Sequence, residues 1–377
     1  MLEWVLDPAV TYLNHGGFGG APRAVLAEQD RWRAHLEANP TRFMVRELAS
    51  LLDEARHVLA AFVGADPAGL VFVTNATSGV NAVVRSLPFA TGDEIVVTDH
   101  GYAACRNVVG EVAARTGARP VVAAVPFPID GPHEVTRAVL DAVTERTRLV
   151  LVDHVTSPTA LVFPIADIAA ALEPAGIPVL VDGAHAPGMI DLDVAALGVS
   201  FYTGNCHKWM CAPKGSAFLW SSVGHRDVLR PGTISHGWDG GYPGESRYHQ
   251  LFDFTGTHDP SAYLTVPTAI RVVEESLAGG WHEMRTRNHE LALAAREVLC
   301  AALAIEPPAP DGMIGTLAAV PVPPGDDDLG VHLAERHRIE APVFAWPTPP
   351  QRLLRVSAQL HNTIEQYDRL AEIVATG

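Results

Sequence analysis

The chain is 377 residues long, 48% hydrophobic and 19% charged, with a formal net charge of −16. That length suits a large core with a smaller domain beside it, and the composition is that of a soluble globular protein. The negative balance excludes nucleic acid and anionic membrane as expected partners, and no apolar run reaches the roughly 18 residues of a membrane span.

In chain order, the opening "MLEWVLDPAVTYLNHGG" has no basic region before an apolar core, so no secretory signal is expected. Residues 21–62 read as helical, with "AVLAEQDRWRAHLEA" and "ELASLLDEARHVLAAFVG". From about 69 to 220 short Val-rich runs ("GLVFVTNA", "EIVVTDH", "RPVVAAVP", "RLVLVDHV", "IPVLVDGAH") alternate with helical stretches ("CRNVVGEVAARTG", "EVTRAVLDAVT", "IADIAAALEPAG"). That alternation predicts a mainly parallel sheet covered by helices on both faces, an α/β fold. Residues 225–262 are rich in Gly, Pro, His and aromatics and read as a long irregular connection. Beyond 280 come a helix ("WHEMRTRNHELALAAREVLCAAL"), strands ("TLAAVPVP", "EAPVFAW", "LLRVSAQL") and a last helix ("IEQYDRLAEIVA"), with turns at "PPAPDG" and "PVPPGDDD". The expected division is an N-terminal segment (1–20), a large domain (21–275) and a small C-terminal α+β domain (276–377). Four irregularly spaced cysteines, Cys105, Cys206, Cys211 and Cys300, make no disulfide framework, and a reducing cytoplasm is the expected compartment.

In parallel sheets ligands gather beyond the carboxyl ends of the strands. Three apolar runs end there in Asp: Asp99, Asp153 and Asp182. Lys208 follows Asp182 by 26 positions, after the next apolar run. "VTNATSGVN" reads as strand, small-residue turn and helix, whose N-terminal amides with Thr77 and Ser78 form an anion cradle. On its own a lysine after an apolar run is usually a solvated surface residue, and Asp182 could be a helix cap. Together, a cradle, a carboxylate and an amine at one sheet edge meet the needs of pyridoxal phosphate: donors for its phosphate, an amine for its aldehyde, a carboxylate for its ring nitrogen. No metal is expected, because Cys206, His207 and Cys211 lack the paired spacing of a zinc site.

The sequence resembles the class V group of fold-type I pyridoxal-phosphate enzymes, and within it the isopenicillin N epimerase-like branch. The resemblance runs nearly end to end through "YLNHGGFGGAP", "VFVTNATSGVN", "DHGYAACRN", "LVDHVTSPTALVFPI", "VDGAHAPG", "GNCHKWMCAPKG", "FDFTGTHDPSAYL" and "LLRVSAQLHNT". It implies Lys208 as the Schiff-base lysine and proton carrier, Asp182 as partner of the pyridine nitrogen, and His185 near the phenolic oxygen. Ala76 and Thr77, with Asn205 and His207, would hold the phosphate. Tyr102 would stack on the ring, with His100 as the alternative. Ser157 would approach the phenolic oxygen or the substrate. Arg355 would take the substrate α-carboxylate, which suits a bidentate guanidinium, with backbone near Asn14 and Gly16 helping. Gly256 and Thr257 would reach the phosphate of a neighbouring subunit, so a homodimer with shared sites is implied.

Related cysteine desulfurases carry a nucleophilic cysteine before the carboxylate-binding arginine; here "IEAPVFAWPTPPQRLLRVSAQ" has none. The implied activity is chemistry at Cα of a free α-amino acid: epimerisation, or C–S lyase β-elimination on a cysteine S-conjugate. Transamination stands behind these, and a catalytically inert regulatory binder is the alternative of another class. For the substrate side chain the candidates are Arg42, Arg46, His236, Trp238, Tyr242, Arg247, Phe344 and Trp346, the arginines being equally consistent with a solvated surface.

Overall fold

A computed structural model describes residues 2–325 and 328–376. The strands in chain order are β1 (Thr11–Tyr12), β2 (Leu70–Val73), β3 (Glu94–Thr98), β4 (Arg119–Ala123), β5 (Thr147–Asp153), β6 (Val179–Asp182), β7 (Phe201–Asn205), β8 (Ala217–Ser221), β9 (Leu317–Val322), β10 (Ile339–Glu340), β11 (Val343–Ala345) and β12 (Arg352–Ser357). Seven of them form one sheet in the order β2-β8-β7-β6-β5-β3-β4. Strands β4, β3, β5, β6 and β7 pair in parallel, and β8 runs antiparallel to both its neighbours. The sheet is thus mainly parallel, as the continuous apolar runs predict.

Side-chain alternation divides the sheet between two cores. Phe72, Val96, Val150, Val152 and Val181 pack on one face with the helices Leu48–Phe62, Pro132–Asp141 and Ile165–Leu172. Val71, Ile95, Val97, Leu149, Leu151 and Leu180 pack on the other, under the helices Ala76–Ser86 and Ala103–Thr116. Each fully buried Val or Leu contributes roughly 1.5–3 kcal/mol, and the period of two fixes where the strand-end residues point. Asp153 and Asp182 share parity with Leu151 and Leu180, so both carboxylates leave the sheet beneath the helix Ala103–Thr116.

A second, antiparallel sheet, β11-β12-β9, packs on the long helix Gly280–Leu303 and the last helix Ile364–Thr376 through a separate core that includes Val320, Leu354, Val356 and Leu370. The N-terminal β1 pairs with β10, tying the chain start to this unit.

Two elements differ from the sequence expectation. The stretch 225–262 contains a helix, Arg247–Asp253, capped by Ser246, whose side chain accepts from the His249 amide at 3.2 Å. Its Tyr248, Leu251 and Phe252 are buried against the sheet, which holds a short segment helical despite the Gly- and Pro-rich flanks. A further helix, Leu329–His337, follows the "PVPPGDDD" turn. That turn opens inside β9 at Pro321 and Val322, and its Asp326 and Asp327 lie outside the described residues. Among the described residues no helix is long and apolar enough to cross a membrane.

Candidate active site

The carboxyl ends of β5, β6 and β7, the start of the helix Ala76–Ser86 and the segment around Gly17 enclose a cavity of about 570 Å³. Its walls include Lys208, Asp182, Asp153, His185, Tyr102 and Ser157, and at its far end Ala76, Thr77, Ser78, Asn205 and His207. The N-terminal segment is held close by Gly19, whose φ is +71° and where a Cβ would lie 1.9 Å from the His207 carbonyl oxygen. Only glycine fits that approach. Lys214 donates to the Gly19 carbonyl at 3.0 Å and fixes the same crossing.

Lys208 Nζ lies 3.2 Å from His185 Nε2, while Trp209 Nε1 donates to His185 Nδ1 at 3.4 Å. An indole nitrogen is donor only, so neutral His185 carries its proton on Nε2 and offers it to the lysine. Burial, and then Lys208 itself, hold the His185 imidazole well below its ordinary range. Burial and the Arg355 charge bring the Lys208 amine down to about 7, so a large neutral fraction exists at neutral pH. A neutral amine is the form that attacks an aldehyde and the form that accepts a proton.

Asp182 is buried with both oxygens engaged: Oδ1 accepts from the Ala184 amide at 3.0 Å and Oδ2 from the Cys105 thiol at 3.0 Å. Burial raises its carboxyl above the usual range. A cationic ring nitrogen beside it would restore the carboxylate form, because an opposite charge favours ionisation.

At the helix start, Asn75 caps the Ser78 amide at 2.8 Å. The Ala76 amide donates to Asn205 Oδ1 at 2.8 Å and is therefore committed inside the protein. Asn205 thus braces the cradle through Ala76, and the Thr77 amide, which has no intrahelical acceptor at this position, remains with the Thr77 hydroxyl for an anion. His207 borders the same end; its Nδ1 lies 3.1 Å from the Ser216 carbonyl oxygen, and burial lowers it to about 4.

Arg355 on β12 is buried and reaches across from the second sheet. Nη1 donates to the Ser157 carbonyl at 2.7 Å and to Ser157 Oγ at 3.1 Å, and Nη2 to Asn14 Oδ1 at 3.2 Å. Its Nε is buried with no partner among the described residues. The Phe344 ring lies 5.1 Å from Cζ. Gly16 belongs to this corner by packing: its amide donates to Ser357 Oγ at 2.9 Å, so it holds the entry turn to β12.

The two stacking candidates lie in different surroundings. Tyr102 lines the cavity and is 46% exposed. His100 is fully buried, with Nδ1 2.7 Å from Thr159 Oγ1 and Nε2 3.0 Å from the Val125 carbonyl oxygen, away from the cavity wall. Gly256 and Thr257 are not brought to this cavity within one chain. Gly256 has φ +115° with open space about its Cβ, and Thr257 is exposed in a neighbouring groove. Of the side-chain candidates, Arg42 and Arg46 are exposed on the surface. Trp238 lies between Arg230 and Arg247, Tyr242 stacks on Phe254, and His236 is exposed; none of them borders the cavity. Phe344 and Trp346 adjoin Arg355 and His100 respectively.

Cys206 and Cys211 are buried packing residues, and all four cysteines are unpaired. No cluster of metal-binding side chains occurs among the described residues. Sequence reasoning noted Asp153 at a strand end but gave it no role, and it missed Cys105, whose partner lies 77 positions away.

The fold and this donor set define a class. An amine of lowered basicity, a buried carboxylate and a helix N-terminus around one cavity fit a phosphorylated pyridine aldehyde. The family model for class V aminotransferases matches residues 11–323, and the chain belongs to that family, whose cofactor is pyridoxal phosphate. The chain is 39% identical to an isopenicillin N epimerase of Amycolatopsis lactamdurans, with 97% of this chain and 95% of the relative covered. It is 26% identical to an L-cysteine desulfhydrase of Arabidopsis thaliana, covering 97% and 87% respectively. Among solved structures, a cystine C–S lyase in complex with its product cysteine persulfide superposes with a TM-score of 0.81 at 24% identity over 97% of both chains, which establishes the shared fold-type I architecture.

Proposed function

We propose that this chain is a pyridoxal-phosphate enzyme acting at Cα of a free α-amino acid, and that its reaction is epimerisation. The observation that carries the chemistry is the lowered Lys208 amine facing the same cavity as Asp182 and the Thr77 cradle. The near full-length similarity to an isopenicillin N epimerase supports the reaction type. Asp182, Thr77, His207, Tyr102 and Lys208 are the residues that would hold the cofactor, with Asn205 bracing the phosphate end through Ala76. When bound, pyridoxal phosphate supplies an electron sink that acidifies the Cα proton of an attached amino acid.

Arg355 binds the α-carboxylate with a guanidinium already held in place by Ser157 and Asn14. Such a pre-set fork orients Cα at little entropic cost. Lys208 takes the Cα proton, and His185 Nε2–H steadies the neutral amine that does so. Tyr102, at the cavity wall, is the second proton carrier that reprotonation from the opposite face needs. Phe344 and Trp346 are the side-chain contacts proposed for the substrate. Retention of Lys208, Asp182 and Arg355 together argues against an inert binder.

C–S elimination is the second reading. It is favoured because a single base suffices: Lys208 takes the Cα proton and hands it to the leaving thiolate. Persulfide relay has no thiol in the segment that carries Arg355, since residues 339–359 contain no cysteine. Deuterated water separates the outcomes. Epimerisation yields Cα-deuterated amino acid of inverted configuration; elimination yields a keto acid with ammonia and free thiol; transamination yields the intact substrate's keto acid. Replacement of Arg355 by Ala is expected to raise KM for the amino acid by about 100-fold, the loss of a charge-assisted pair. An unchanged KM would remove the carboxylate anchor, and with it the free amino acid as substrate.

The active unit is proposed to be a homodimer, with Gly256 and Thr257 of one subunit completing the phosphate end of the other. The support is their distance from the cavity within one chain, together with the "FTGT" resemblance. Lys208→Ala and Thr257→Asp proteins, each inactive, should regain about a quarter of wild-type activity after equimolar random exchange of subunits, because half of the dimers are then mixed and one of the two sites in each receives neither change. Sedimentation of an active monomer would sink this arrangement. The division into a large cofactor-binding domain (21–275) and a small domain (276–377), and a cytoplasmic setting for four unpaired buried cysteines, belong to the same reading.

A further inference from the structure

Asp182 does not stand alone at the sheet edge. It pairs in register with Asp153, the last residue of β5, and parallel pairing of equal parity sends both carboxylates to the same side. Both are buried and both border the cavity. The helix Ala103–Thr116 lies above them, and its Cys105 thiol donates to Asp182 Oδ2 at 3.0 Å. Burial, and then the neighbouring Asp182, hold the Asp153 carboxyl well above its usual range. Asp153 Oδ2 is buried and has no hydrogen-bond partner among the described residues.

Two carboxylates this close compete for protons, since the second negative charge is opposed by the first. A thiol donor acts in the other sense, because it favours the ionised form of the oxygen it touches. The remaining groups that face the pair are Arg106 on the same helix, Lys208 after β7, and Tyr202 of β7, which feels Asp182 from the opposite face of the sheet. Among the described residues neither lysine nor arginine is hydrogen-bonded to Asp182, and its immediate partners there are the Ala184 amide, Cys105 and its neighbour Asp153.

We propose that Asp153 and Cys105 are positioning residues that set the charge Asp182 offers the cofactor ring from opposite sides: Asp153 by competing with it for one proton, Cys105 by stabilising its ionised form. The proposal rests on the reading that Asp182 meets the ring nitrogen. It gives the helix Ala103–Thr116 a double duty, since Tyr102 at its start borders the ring site and Cys105 one turn later tunes the carboxylate beneath.

The two substitutions should push in opposite directions, which a merely structural role would not do. Full-length protein freed of cofactor is titrated with deoxypyridoxine phosphate, which lacks the aldehyde and so reports ring binding without Lys208. Its Kd is measured from pH 5 to pH 9 by fluorescence, and binding weakens as Asp182 takes up a proton at low pH. The ligand's own titrations are common to all variants, so differences between midpoints report the site. Asp153→Asn is expected to move the midpoint down by about one pH unit and Cys105→Ala to move it up by about one, each the equivalent of one lost interaction. Cys105→Ser, which keeps a donor, should return it to or slightly below the wild-type value and serves if the alanine variant fails to fold. Midpoints that move together, or stay at the wild-type value in folded protein, overturn the proposal. Should Asp182→Asn keep the wild-type midpoint, the reading that Asp182 meets the ring fails instead.

Discussion

Lys208→Ala protein is expected to lose the long-wavelength absorbance band of the purified enzyme and to fall in kcat by about 10⁴-fold, the upper range for removing a positioned acid–base group that also carries the cofactor. The fold should survive, since burial already disfavours the charged form of the amine that the change removes. Thermal melting at or near the wild-type temperature would document that. Borohydride reduction of wild-type enzyme followed by peptide mass analysis should place the label on Lys208; a label on Lys214 would reassign the site. The pH dependence has a definite sign. The reactive amine is the deprotonated one, and its fraction grows through about pH 7, so the rate at which cofactor-free protein regains the band should rise through that pH and level off above it. A rate that climbs only towards the ordinary lysine range would show that burial does not depress this amine.

Asp182→Asn is expected to keep cofactor and lose about 10³-fold in kcat, because the amide matches the carboxylate in shape but cannot hold a proton on the ring nitrogen. With the amide oxygen turned to the Ala184 N–H, the amide nitrogen can donate to the Cys105 sulfur, a weak acceptor, so folding is spared. The separation to look for is a kcat that falls far more than cofactor affinity. Near-normal turnover would reject the assignment of Asp182 as the ring's partner.

The strand ends that carry Asp153, Asp182 and Lys208 were legible because each follows a Val-rich run bounded by turn residues, and burial of such runs is a local property of the chain. The helix start at Asn75–Ser78 was legible for the same reason: a small polar turn after an apolar strand. The helix Arg247–Asp253 was not, since "RYHQLFD" is too short to declare itself and is helical because Tyr248, Leu251 and Phe252 find the sheet.

What the amino-acid sequence by itself determined is therefore the inventory and its edge: an α/β chain of the class V family, with an amine, a carboxylate and an anion cradle at the carboxyl ends of its strands. What only the tertiary structure decided is which neighbour each group meets. His100 and Tyr102 lie two positions apart, yet Thr159 and the Val125 carbonyl draw the histidine inward and leave the tyrosine at the cavity. Asn205 takes the Ala76 amide, and Ser357 takes that of Gly16, two donors that the family resemblance had offered to ligands. Arg355 finds Ser157 across 198 positions of chain, and Cys105 finds Asp182 across 77. Periodicity is written into neighbouring residues, whereas the satisfaction of buried hydrogen-bonding groups is settled only when distant segments compete for the same donors and acceptors.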